Sequence, residues 1–229
     1  MQETSELYKT LLSTTGAVKE HRAIIGGEEY GQNRLVSCQT SRSLFSGSTL
    51  AVGGCCSGQI SLSLREPGAI PRMAEIRLYT RLVMGDQASE WLAAGVYYLD
   101  TRVPDKASGV LAITGYDAML KAEQVCLNEG DAGEWPRSMP EVVQDICTRM
   151  GVELDARTVI NPAYMVEYPN DYTMREILGY IGAAHGGNWT MTPTGRLRLV
   201  TLAELPPESS LLVDDQRNAI LMGEVHIIV

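Results

Sequence analysis

Three histidines, five cysteines and a scatter of aspartates are the side chains best suited to proton transfer, nucleophilic attack or metal binding in this chain of 229 residues. Their spacing does not assemble a site. His21 and His226 fall in strand-like patterns, and His185 sits in Ala183-Ala184-His185-Gly186-Gly187 at the end of a predicted helix. An imidazolium there is favoured by the helix dipole by up to about 1 kcal/mol, which gives His185 a structural role. Cys38, Cys55, Cys56, Cys126 and Cys147 contain no C-x-x-C pair. Structural zinc needs ligand pairs a few residues apart, so the cysteines read as small buried hydrophobes. A dyad of Cys55 or Cys56 with His185 has nothing to orient it.

Gly53-Gly54-Cys55-Cys56-Ser57-Gly58 is rich in glycine but lacks the lysine and following helix of a phosphate loop. Its place before a strand suits a flexible connection or a bulge. Asp100, Asp105 and Asp117 lie at strand ends, where aspartate serves turns and caps. The expectation is a protein without catalytic residues, cofactor or metal. The tyrosine-rich stretch 164–172, YMVEYPNDY, is either a contact surface, since tyrosine favours interfaces, or a packed loop before a helix.

The elements around these residues follow from periodicity. Residues 5–20 predict a short helix with Leu7, Leu11 and Leu12 on one side, weakened beyond Ser13 by Thr14, Thr15 and Gly16. It is marginal alone and needs something to dock on. From residue 21 the period becomes two. A hairpin is predicted across Gly26-Gly27, then strands over 34–40 and 58–65, with Ile60, Leu62 and Leu64 on one face. The clearest strand spans 73–84: Ala74, Ile76, Leu78, Thr80 and Leu82 alternate with Glu75, Arg77, Tyr79, Arg81 and Val83. Further strands cover 95–102 and 109–114. Short strands at this spacing point to a barrel or sandwich.

Past Asp117, which can cap a short helix, the composition shifts. The loop NEGDAGEWPR is the candidate domain boundary. Ser138-Met139-Pro140-Glu141 and Thr173-Met174-Arg175-Glu176 are capping boxes. The first opens a helix with Val142, Val143, Ile146 and Met150 on one face and Gly151 as its stop. The second opens one with Ile177, Leu178, Ile181 and Ala184, ending at Gly186-Gly187. A hairpin follows, with Trp189 and Met191, a turn at Pro193-Thr194-Gly195, then Leu197 and Leu199. The class is α+β. The stretch 219–229, AILMGEVHIIV, reads as an apolar strand that pairs with another subunit or continues into further sequence.

Composition narrows the partners. The formal net charge of −9 and dispersed basic residues argue against wrapping nucleic acid, whose affinity comes from clustered cations. Apolar runs are too short for a membrane span, and the polar, acidic start Met1-Gln2-Glu3-Thr4 lacks the features of a secretory signal. The expected site of synthesis is the cytoplasm, with no membrane insertion.

Three segments carry a resemblance. GQISLSLREPGAIPRMAEIRLYTRL, GVYYLDTR and GVLAITGYDAMLKAEQ resemble the first barrel of phage tail hub proteins, the late control protein D family and baseplate hubs of contractile tails. YTMREILGYIGAAHGGNWTMTPTGRLRLVTL resembles the helical insertion after that barrel. The similarity spans about residues 20–202 and is nearest to versions from prophages of Gram-positive bacteria.

The resemblance implies an N-terminal antiparallel β-barrel followed by a small α/β domain of helix, helix and hairpin. The corresponding division is a helix or arm at 1–20, a barrel at 21–127, an insertion at 137–202, and the start of a second barrel or a partner-pairing strand at 203–229. Because the family builds a second barrel where only 203–229 follow here, the natural protein is expected to continue past Val229. The family also implies a trimer located in the virion tail and assembled in the bacterial cytoplasm. The tail tube or a distal tail protein would lie above it and a tip or spike protein below, with a lumen for the tape measure protein and for DNA as passing cargo. The residues expected at partner contacts are Leu7, Leu11, Tyr79, Arg81, Tyr168 and Ile227.

Two other functions compete. One is the structural N-terminal part of a tail-associated peptidoglycan hydrolase. The other is a binding module for carbohydrate or peptide, for which Tyr79 and Tyr97 are the exposed-aromatic candidates.

Overall fold

The computed structural model describes residues 2–45, 47, 49–127 and 134–202, and the backbone of 221–222 and 225–226. Helix α1 (Glu6–Ser13) opens the chain, its N-terminus capped by the Ser5 hydroxyl accepting from the Tyr8 N–H at 3.0 Å. The helix ends seven residues before the expected limit at 20. Gly16 takes φ +95°, and strand β1 (Val18–Ile25) begins there instead. The predicted apolar side also divides: Leu11 is 2% exposed, whereas Leu7 and Leu12 are 38% and 67% exposed.

β1 begins an antiparallel sheet with β2 (Glu28–Tyr30), β3 (Leu35–Ser41), β4 (Gln59–Arg65), β5 (Glu75–Met84), β6 (Gln87–Ala88), β7 (Leu92–Asp105) and β8 (Val110–Tyr116). The order is β2-β1-β5-β7-β8-β4-β3, with β6 paired to the end of β5. Alternation explains the register. Leu62 lies opposite Ile113 and Leu64 opposite Leu111, so a single face gathers Ile25, Ile60, Leu62, Leu64, Ile76, Leu78, Tyr97 and Leu99 into one core. β7 runs well beyond the predicted 95–102 at both ends.

The expected barrel does not close. Among the described residues β3 pairs with β4 alone and β1 with β2 and β5. The cause is the three-residue β2. The chain leaves β1 after Tyr30, turns through Gly31, whose carbonyl accepts from both Arg34 N–H and Leu35 N–H, and joins β4 as β3. β1 and β3 still come within 8 Å at Cα. Bulges at Leu35/Ser37, Leu78/Tyr79 and Leu99/Thr101 curl the sheet without sealing it.

After β8, Asp117 caps a 3-10 turn (Ala118–Glu123) with its carboxylate on the Met119 N–H. β9 (Arg137–Ser138) and β10 (Met165–Val166) pair across α2 (Met139–Met150). Then come α3 (Met174–Ala184) and the hairpin β11 (Gly187–Met191) and β12 (Leu197–Thr201). Both predicted capping boxes form. At α3 the Thr173 Oγ1 accepts from Glu176 N–H at 3.2 Å while the Glu176 carboxylate accepts from Thr173 N–H at 2.8 Å. At α2 the Glu141 carboxylate accepts from both the backbone N–H and the hydroxyl of Ser138. Gly151 ends α2 at φ 68°, the left-handed cap glycine permits. Ala184, predicted on the apolar face of α3, is exposed.

These elements enclose a second core around Met119, Val143, Ile146, Met150, Leu178 and Trp189. The indole N–H of Trp189 donates to Leu178 O at 2.6 Å. The second core also draws on Cys55, Ala118, Met119, Ala122 and Cys126, residues grouped with the barrel at 21–127 in the sequence division. The hairpin is widened on both sides by remote segments. Gly53 N–H donates to Gly187 O and Trp189 N–H to Gly54 O, each at 2.8 Å, while Leu197 N–H donates to Glu153 O and Asp155 N–H to Leu197 O. At the C-terminal end, β13 (Leu221–Met222) pairs antiparallel with β14 (Val225–His226). Of the stretch 219–229, where the sequence suggests an apolar strand, only these residues are described. Ile227 lies outside the described residues.

Candidate interaction surfaces

The side chains with chemical potential are occupied by the fold. His185 Nε2 accepts from Asn161 N–H at 2.9 Å, and its Nδ1 bonds Ile181 O at 2.8 Å. The ring therefore ties the end of α3 to the 159–165 loop and does not face a thiol. Cys55 Sγ is directed at Arg175 O, 3.6 Å away. Burial pushes its thiol up to about 12, and those of Cys38 and Cys147 to about 11. Such thiols stay protonated at neutral pH, and the nucleophile is the thiolate. Among the described residues no three His, Cys, Asp or Glu side chains gather as metal ligands do, and no helix is long and apolar enough to cross a membrane.

The glycine-rich loop 53–58 is a joint between the two cores. Gly54 N–H donates to Asn188 Oδ1 at 2.6 Å, and Asn188 Nδ2 donates to Ala51 O at 2.8 Å. The Arg175 guanidinium, from α3, donates to Cys55 O, to Ser57 Oγ at 2.9 Å and to Met119 O at 3.0 Å, and pairs with Glu123 at 2.8 Å. Asp117 accepts from Gly58 N–H at 2.7 Å as well as from Met119. Burial raises its carboxyl to about 6, outweighing the two backbone donors and the nearby Arg42 and Arg175 charges that pull the other way. The sequence marks Asp117 as a cap and Gly53–Gly58 as a connection. Nothing in the local pattern signals that Arg175, 120 residues from Cys55, joins them.

The residues expected at partner contacts occupy three places. On the sheet's outer face, the Arg22 guanidinium lies 5.1 Å from the Tyr79 ring and 4.6 Å from Trp91. Arg81 lies 4.5 Å from Trp91 and pairs with Glu20 at 2.8 Å. Tyr79 and Arg81 are thus half-buried parts of a cation–π stack within the chain. Tyr97 is fully buried, its hydroxyl accepting from Arg42 at 3.0 Å, which removes it as a carbohydrate platform. On α1, Leu11 is buried against the chain's own fold while Leu7 remains partly open. Tyr168 is exposed, edge-on to Trp135 at 6.0 Å.

Tyr164, Met165, Tyr172 and Tyr180 are exposed as well. Tyr172 and Tyr180 meet edge to face at 5.5 Å. Beside them an open groove of about 540 Å³ runs between the loop at 52–56 and α3. Its floor is glycine backbone: a Cβ on Gly53 would stand 2.8 Å from Gly179 O. Val52, in its lining, is exposed at 48%. Neither Tyr180 nor Val52 is among the residues expected from sequence; the signal that could have found Tyr180 is an aromatic residue on the solvent side of an amphipathic helix.

No protein-family model matches the chain, and no curated protein matches it. Solved structures do. The 43 kDa tail protein of prophage MuSo2 from Shewanella oneidensis superposes with a TM-score of 0.55 at 15% identity, over 85% of this chain and 59% of that one. The tail protein from Neisseria meningitidis MC58 gives 0.51 at 14% identity, over 87% and 58%. The fold is that of these tail proteins. The chain spans less than three fifths of the length of either.

Proposed function

We propose that this chain is a structural subunit of a phage tail, a hub near the tail tip that joins the tube to a tip or spike protein. The observation that carries the reading is the match of the fold, over 85% of the chain, to a prophage tail protein. The residue resemblance to the late control protein D family, in a form from a Gram-positive prophage, agrees with it. So does the commitment of His185, Cys55 and Asp117 to structural bonds. In this reading the subunits form a trimeric ring whose barrel-like sheets surround a lumen for the tape measure protein and then DNA. A net charge of −9 suits a wall along which DNA slides without binding.

Electron microscopy of the full natural protein, alone and with the tail-tube protein of the same phage, tests the reading. Rings that cap tube ends support it. A monomer that recruits no tube protein sinks it, and a lytic zone on a peptidoglycan zymogram from the same preparation would move the assignment to the hydrolase.

A further inference from the structure

We propose that α1 of one copy docks into the groove between the 52–56 loop and α3 of the next, so that copies join head to tail through two different patches. The inference names the contact surfaces for the assembly proposed above and rests on that reading for the assembly itself.

α1 is a surface helix held by little. Leu11 is its one buried side chain, and the Ser5 hydroxyl and N–H bind the Glu90 carboxylate at 2.6 Å. Leu12 stands out at 67% exposure, and Lys9, three residues earlier, shares its face. The Lys9 ammonium reaches Glu6 at 2.6 Å, but both side chains remain more than half exposed, so the pair is a weak surface contact. The outer edge of α1 thus offers a leucine beside a cation.

The groove offers the complement. Its walls are Val52, Tyr180 and Ala183, its floor is glycine backbone, and Glu176 lies at its rim. The Glu176 carboxylate is held below the usual range by the N–H and hydroxyl of Thr173 and is ionised at neutral pH. The groove's cation, Arg175, is already spent on Glu123 and on backbone carbonyls. An apolar side chain with a neighbouring ammonium therefore fits, and α1 presents that pair on the same chain. α1 packs on β5 of the first sheet, whereas the groove belongs to the second core. Because the patches differ, the contact is heterologous: it adds copies head to tail and makes a ring where the rotation between copies closes.

The test uses the full chain and two variants at exposed positions, Leu12→Glu and Tyr180→Glu, each checked for native circular dichroism. The wild type is expected to self-associate in sedimentation velocity. Mixed light and isotope-labelled copies should give a carbodiimide crosslink from Lys9 of one to Glu176 of the other. Each variant alone should lose association by at least tenfold in dissociation constant. An equimolar mixture should recover a dimer and nothing larger, since the Tyr180→Glu copy keeps an intact α1 and the Leu12→Glu copy an intact groove. Variants that assemble like the wild type overturn the inference while leaving the tail reading standing. A wild type that stays monomeric and recruits no tube protein removes both.

Discussion

Gly53 and Gly179 meet where the loop crosses α3, and each is needed for the other. Gly53 adopts φ +80°, and a Cβ there would lie 2.8 Å from Gly179 O; a Cβ on Gly179 would lie 3.0 Å from Gly53 O. Gly53→Ala is therefore expected to cost about 2–3 kcal/mol, combining left-handed strain with overlap. Gly179→Ala should cost about 1 kcal/mol, offset in part by better helix propensity. Urea unfolding midpoints at constant m check both. Two carboxylates set opposite pH trends. Asp117 has its folded value raised from 3.8 to about 6, so it contributes stability below pH 3.8 that is lost as pH rises through 6. Asp155, gripped by Arg157 at 2.7 and 2.8 Å, is held at about 2. It contributes above pH 3.8, and that contribution is lost as pH falls through 2. Asp117→Asn should flatten the stability profile between pH 4 and 6, while Arg157→Ala should remove stability above pH 4 with an effect that shrinks toward pH 2. Denaturant midpoints across pH 2–7 that keep the wild-type slope in both variants would contradict these assignments.

The elements were legible where their signals are local. The boxes at Ser138 and Thr173, the alternation from Ala74 to Leu82 and the Pro193-Thr194-Gly195 turn each state their geometry within a dozen residues. Thr173→Ala should cost about 1 kcal/mol, because its hydroxyl accepts from the Glu176 N–H. Ser138→Ala should cost less, since the Ser138 hydroxyl serves mainly as a donor to Glu141. Thermal or urea unfolding of both separates the values. Where pairing is remote, the sequence was silent. The open seam between β1 and β3 depends on how far β2 extends, which alternation leaves undetermined. Gly53-Gly54-Cys55-Cys56 carries no period that would announce the isolated bridge of Cys55 to Trp189, whose partner lies far along the chain. The interface residues divided for a similar reason. Tyr79 and Arg81 occupy the predicted outer face, but Trp91 from another segment arrives to stack on Arg81.

At the scale of the whole molecule the two cores do not correspond to two stretches of chain. The second core takes Cys55 from between β3 and β4, and Met119, Ala122 and Cys126 from the segment after β8. A fragment of residues 134–202 therefore lacks the Gly53 and Gly54 backbone bonds to β11 and part of its hydrophobic filling. It is expected to show no cooperative urea transition and poorly dispersed amide resonances, whereas the full chain unfolds cooperatively. A well-folded fragment would show that the 53–55 segment is dispensable.

That stitched joint has a mechanical consequence. Residues 42–58 leave the first sheet from β3 and return to it at β4, so a load pulling the two cores apart enters the loop from both ends. It reaches the bonds of Gly53 to Gly187 and Gly54 to Trp189 together, backed by the Arg175 clamp. Failure requires several bonds to break at once and cannot proceed by peeling them singly. The strength of the joint therefore resides in a loop whose composition is that of a slack connector.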